Sequence, residues 1–299
     1  MQARQLVRAV RILVVPVALA FALVAATSAA SARPGERMYV LAIGDSMTAG
    51  TQPIAPATVP LGSPATEVNR SGNGYAEQLV ASLREQGMKV SLVNLACNHE
   101  TTGMFIDGAG SLCTYPRKSQ LAEAVQFLHA HADNTLAVVM SLGMPDVFFS
   151  CPLFDSGCYA ERFAAAATNL SSILGALRDE GGDVPIATLN YGDPLLAAWV
   201  SPDLGGPAVA QASVPLLMQP LRRFVEAVYT PFDVVVVDTQ AGLQTDDFAD
   251  MTTIPVFGTV PVNVAAICTY TWMCTWGDVH PTTTGYGLIA QAFEQALGL

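Results

Sequence analysis

Short apolar, β-branched runs alternate with helical patterns along most of this chain, and few features narrow a fold so far. The strand candidates are Met38–Ile43, Val90–Leu95, Leu136–Leu142, Val184–Leu189 and Val234–Asp238. Between them lie helical patterns at Tyr75–Gln86, Gln120–His131, Tyr159–Asp179 and Val214–Val228, and a last one runs from Thr284 to Leu297. Strands alternating with helices predict a parallel sheet covered by helices on both faces. Such strands are buried on both sides, so they read as continuous apolar runs rather than as alternating ones. Gly87, Gly181 and Gly182 are placed to end helices.

Ligands of open α/β sheets bind beyond the carboxyl ends of the strands. Gly44–Ser46, Asn94–Glu100 and Gly143–Asp146 each follow a strand candidate, so three separate segments are expected to converge on one rim. The stretches Thr51–Asn73 and Asp238–Thr282 are long and poor in helical periodicity, and they read as loops shaping a substrate site on that rim.

The chain begins with a leader pattern. Arg4, Arg8 and Arg11 precede the apolar stretch Ile12–Ala26, and Ala30-Ser31-Ala32 supplies small residues suited to a signal peptidase. The stretch is shorter than the roughly 20 residues that span a bilayer. We therefore expect a signal peptide over 1–32, a single domain over 33–299, export, and no stable membrane insertion after cleavage. The leader holds three of the 14 Lys and Arg residues and none of the 25 acidic ones, so its removal takes the formal charge from −11 to −14. A surface so acidic disfavours nucleic acid and anionic membranes as partners.

All six cysteines lie beyond that cleavage point and fall in three close couples. In an exported chain this favours disulfides, and Cys97–Cys113, Cys151–Cys158 and Cys268–Cys274 form the simplest set among the pairings open to six thiols. A zinc site from Cys268, Cys274 and His280 would have irregular ligand spacing.

A serine directly after the first strand, in Gly44-Asp45-Ser46-Met47-Thr48-Ala49-Gly50, and a late Asp278-Val279-His280-Pro281 suggest a serine hydrolase. Serine oxygen is a poor nucleophile until a base takes its proton, and that base needs a third group to orient it. Ser46, His280 and Asp278 are one candidate for each role. No Gly-x-Ser-x-Gly occurs, which argues against the nucleophile elbow of α/β-hydrolases.

Gly44-Asp45-Ser46, followed by Thr48 and Gly50, resembles instead the first motif block of the SGNH, or GDSL, hydrolase superfamily. Asp278-x-His280-Pro281, followed by Gly285-Tyr286, resembles its last block. Asn94-Leu95-Ala96-Cys97-Asn98-His99-Glu100-Thr101-Thr102, Tyr191-Gly192-Asp193-Pro194 and Ile267–Cys274 are similar to the secreted, disulfide-bearing actinobacterial lipase and esterase branch. The resemblance runs from Tyr39 to the C-terminus. It implies a flavodoxin-like three-layer α/β/α fold with about five parallel strands, and hydrolysis of lipid or other small-molecule acyl esters with no metal and no cofactor. It supports the three sequential disulfides, makes Ser46 the nucleophile, and gives the oxyanion hole the N–H groups of Ser46 and of the residue at position 99.

Two positions depart from the family pattern. His99 stands where the second block carries a glycine, and its N–H survives only if a residue with a Cβ accepts the backbone geometry there. Pro145 replaces the asparagine of the third block, here Gly143-Met144-Pro145-Asp146, and brings neither a side-chain donor nor an N–H. Losing one such donor costs on the order of 10²–10³ in rate. Asn98 or the His99 ring are candidate substitutes. A catalytically impaired relative that binds a lipid or cell-wall glycan is the alternative to an active ester hydrolase. Phe148, Phe149, Trp272 and Trp276 are candidates for an acyl pocket. His129 and His131 read as surface residues, and Asp246, Asp247 and Asp250 as a solvated turn.

Overall fold

A computed structural model of the chain describes residues 37–54, 67–68 and 70–299. The leader read over 1–32 and much of the rim segment Thr51–Asn73, namely 55–66 and 69, lie outside the described residues. Five strands form one sheet: β1 Met38–Gly44, β2 Val90–Asn94, β3 Thr135–Ser141, β4 Ile186–Leu189 and β5 Val234–Val237. All neighbouring pairs are parallel, in the order β2-β1-β3-β4-β5. The strand candidates thus agree with the structure to within two residues at each end. Helices Tyr75–Glu85 and Thr283–Leu297 pack on each other, while Gln120–His131, Ser156–Gly181 and Gln219–Tyr229 form a second, contiguous layer. The result is a three-layer α/β/α fold of flavodoxin-like order.

The core is built from the strand runs. Val40, Leu41, Ala42 and Ile43 of β1 and Val138, Val139 and Met140 of β3 have no exposed surface. Each large aliphatic side chain removed from water contributes about 1.5–3 kcal/mol, which is why these two central strands tolerate no polar residue along their middle. Above them the rings of Tyr75 and Phe293 stack at 4.6 Å and join the two helices of one layer.

The order of the strands reverses between β1 and β3, the place where an open α/β sheet leaves a crevice. Gly44 and Ser141 stand side by side in that register, and the Asp45 N–H donates to the Ser141 carbonyl at 2.8 Å. A Cβ at Gly44, whose φ is 116°, would come within 1.9 Å of the Ser141 oxygen. Only glycine lets the chain turn off the sheet this close to β3.

Two readings of the sequence need correction. The stretch Asp238–Thr282 is not only loop: it contains a hairpin of β6 Met251–Ile254 and β7 Gly258–Pro261, and a helix, Val262–Tyr270. That helix is apolar nearly all round, so it shows no 3.6-residue period, and it is buried in a second apolar cluster with Leu196, Val214 and Met273. The helix expected from Val214 begins earlier. The chain is helical from Gly206 to Tyr229, and a π turn at Val214–Met218 accommodates Pro215. Among the described residues no helix is long and apolar enough to cross a membrane.

Candidate active site

Asp45 caps the short helix Ser46–Ala49, accepting from the Met47 N–H at 3.0 Å. Its carboxylate is 1% exposed and also accepts from the Ser141 Oγ at 2.6 Å and from the Tyr191 hydroxyl. Burial nevertheless dominates and raises its pKa to about 6, against the pull of those three donors and of the nearby His280. Thr48 extends the network: its hydroxyl lies 2.7 Å from both the Ser141 Oγ and the Tyr75 hydroxyl. The turn carrying Ser46 is therefore fixed to β3, to the helix Tyr75–Glu85 and to the segment after β4 by buried polar contacts, while Ser46 itself remains half-buried.

The second half of the site is the segment Asp278–Pro281. The Asp278 Oδ1 accepts from the His280 N–H at 2.8 Å and lies 2.9 Å from the ring Nδ1. Both side chains are buried, at 4% and 2% exposure. A carboxylate on Nδ1 fixes the tautomer and leaves Nε2 as the basic nitrogen. The segment is held from one side by the turn Tyr270–Trp272: the Trp272 N–H donates to the His280 carbonyl at 3.0 Å, and the Thr282 N–H to the Tyr270 carbonyl at 2.9 Å. The Cys268–Cys274 disulfide closes that turn. Cys97–Cys113 and Cys151–Cys158 are also bonded, so all three expected pairs are present and no thiolate remains for zinc at Cys268 or Cys274.

Ser46 opens on a cavity of about 330 Å³. Val279 and Pro281, which flank His280, line the same cavity. So do Met144 and Pro145 from the segment after β3, Tyr191 and Gly192 from the segment after β4, and Asp238 and Thr239 from the end of β5. The segments after β1 and β3 thus converge as expected and are joined by those after β4 and β5, whereas Asn94–Glu100, Asn98 and His99 included, contributes no residue to the cavity wall. His99 has a φ of 61°, the left-handed geometry that favours glycine, and its ring stacks on that of Phe149 at 4.8 Å. Asp146 ties the second and third blocks together by accepting from the Thr102 N–H at 2.9 Å and its hydroxyl at 2.6 Å. Burial raises the pKa of Asp146 and of Glu100, which accepts from Ser111 at 2.6 Å.

Of the candidate pocket aromatics, Phe148 and Phe149 line the cavity, whereas Trp272 and Trp276 pack on each other, tilted, with ring centroids 4.7 Å apart, outside it. His129 pairs with Glu180 on the surface at 2.9 Å, and His131 packs on Tyr39 and Phe127. Asp246 meets Arg222 at 3.3 Å in an exposed turn. Tyr191 has a role that its sequence signal did not specify. It takes a φ of 53° and delivers its hydroxyl to Asp45 from a segment 146 positions away.

A model of the GDSL-like lipase/acylhydrolase family matches residues 42–288, and the chain belongs to that family. It is similar in fold to a lipase from a goat rumen metagenome, with a TM-score of 0.51 and 15% identity, covering 87% of this chain and 97% of that one. It is likewise similar to a catalytic mutant of an acetylxylan esterase from Geobacillus stearothermophilus, with a TM-score of 0.50 and 17% identity, covering 88% and 94%. No curated protein matches the chain. Membership of the family supports ester hydrolysis as the class of activity.

Proposed function

We propose that the protein is an exported serine hydrolase that cleaves carboxylic esters of small molecules or lipids through an acyl-enzyme. His280 takes the Ser46 proton at Nε2, the Ser46 Oγ attacks the ester carbonyl, and the His280 imidazolium returns the proton to the leaving alcohol. Water then enters, His280 takes one of its protons, and hydroxide attack on the acyl carbon releases the acid and restores Ser46. Asp278 holds the imidazole and offsets its charge while it is protonated. We assign the backbone N–H of Ser46 to the negative oxygen of the tetrahedral intermediate, and that of His99 only by its place in the family's second block, where its left-handed backbone suits a position that the family fills with glycine. Three disulfides in one chain support an oxidising compartment.

The observation that carries this reading is the buried Asp278–His280 pair, at 2.9 Å, in a segment that shares its cavity with Ser46. A fluorophosphonate probe tests it: covalent labelling of the intact protein, lost in Ser46→Ala and in His280→Ala, is expected. A protein that leaves the probe untouched has no activated serine. One observation favours a second reading, a lipid or glycan binder with little turnover: Pro145 lines the cavity without any N–H to offer. The same experiment separates the two.

A further inference from the structure

The C-terminal helix Thr283–Leu297 carries more apolar surface than the fold consumes. One face, with Tyr286, Ala290, Phe293 and Leu297, packs into the main core. A second face, with Gly285, Leu288, Ile289 and Ala292, follows the spacing i, i+3, i+4, i+7 and ends on Gln295. This second face lines the cavity that begins at Ser46. Leu288 is 42% exposed, and Ile289 and Ala292, which pack against the core on one side, are only half-buried and present their remaining surface to the cavity. Leu243 and Ile267 line the cavity as well. Pro145 adds apolar wall next to the nucleophile in place of an amide. From Gly285 to Gln295 the stripe covers about 15 Å of helix axis, the length of an aliphatic chain of medium size and far more than an acetyl group fills.

We propose that this cavity receives an unbranched, medium-length aliphatic chain of the ester, laid along the Leu288–Ile289–Ala292 face, and that Ile289 and Ala292 set the length accepted. The proposal rests on Ser46 being the nucleophile. Acetylated sugars, whose hydroxyls would meet Leu288, Ile289 and Leu243 unpaired, are disfavoured by the same wall. The chain could enter as the acyl part or as the alcohol, and the chemistry of recognition is shared.

Two series of esters separate those sources. p-Nitrophenyl acetate, butyrate, octanoate, decanoate and palmitate vary the acyl part, and ethyl, octyl and decyl acetate vary the alcohol. The expected result is a rise in kcat/KM of at least tenfold from acetate to octanoate or decanoate in one series, with a fall at palmitate. Ala292→Phe is expected to lower the long-to-short ratio at least tenfold, and Ile289→Ala to move the optimum toward longer chains. Flat profiles in both series, with hydrolysis still dependent on Ser46, would overturn the aliphatic slot and leave the proposed activity standing. Binding is measured independently of turnover by titrating decanoic acid and decanol into Ser46→Ala in a calorimeter. A negative heat-capacity change is expected for one of them, lost when Ala292→Phe is added. Absence of binding by both overturns the proposal whatever the esterase assay gives.

Discussion

At the scale of single residues, the site joins two locally determined pieces. Asp278 lies two positions before His280 and grips both its backbone N–H and its ring, so its carboxylate is committed to orientation. Asp278→Asn replaces an acceptor by an amide that can favour the wrong imidazole tautomer. We expect kcat to fall by on the order of 10³–10⁴ with KM little changed, measured on p-nitrophenyl esters. Pro145 argues in the opposite direction. An amide there would supply a donor used only as charge develops, so Pro145→Asn is expected to raise kcat by on the order of 10² and to leave KM nearly constant. A change confined to KM would show that position 145 touches the ground state alone. Both expectations rest on residues legible in the sequence, because each sits inside a short motif whose chemistry is local. Tyr191 was not legible in this way: its contact with Asp45 depends on β4 lying beside β3, which no local pattern encodes.

At the scale of elements, the sheet was readable because strands buried on both faces are nearly continuous apolar runs, as the inner strands β1, β3 and β4 are, and because the half-buried edge strands β2 and β5 still carry β-branched residues. The hairpin β6–β7 and the helix Val262–Tyr270 escaped the reading for a related reason. A short helix buried all round has no polar face to give it a period, and a hairpin of four-residue strands gives little alternation to count. The helix and the turn that ends it nevertheless hold the base. The helix start at Gly285 runs so close to the turn Tyr270–Trp272 that a Cβ there would lie 2.0 Å from the Tyr270 oxygen and 3.1 Å from Pro281. In an open helix Gly→Ala stabilises by up to about 1 kcal/mol. Here the clash wins. Gly285→Ala is expected to destabilise by about 1–3 kcal/mol and to lower kcat by displacing His280, seen as a lower urea midpoint at constant m-value. A gain in stability would mean that the turn and the helix are not in contact in solution.

For the whole molecule, the consequence of burying carboxylates beneath an acidic surface is a stability that declines as pH rises. Asp45 and Asp193 are buried, and loss of solvation raises both to about 6 from an ordinary value of 3.8. A folded-state pKa above the unfolded value means that the native protein binds the proton more tightly. The stabilisation is fully present below about 3.8 and is lost as pH climbs through about 6. Two raised carboxylates of this kind amount to a few kcal/mol in total. The formal charge of −11, or −14 in the proposed mature form, adds self-repulsion that grows over the same range. Salt separates the two contributions, because exposed charges are screened within about 10 Å at 0.1 M ionic strength whereas buried ones are not. We expect the melting temperature to fall between pH 4.5 and pH 7.5, and added salt to recover only part of the fall. In Asp193→Asn, which leaves the Ser46 turn untouched and keeps an oxygen for the Leu195 N–H, the salt-resistant part should shrink by about half. A fall wholly abolished by salt, or one identical in Asp193→Asn, would assign the pH dependence to the surface alone.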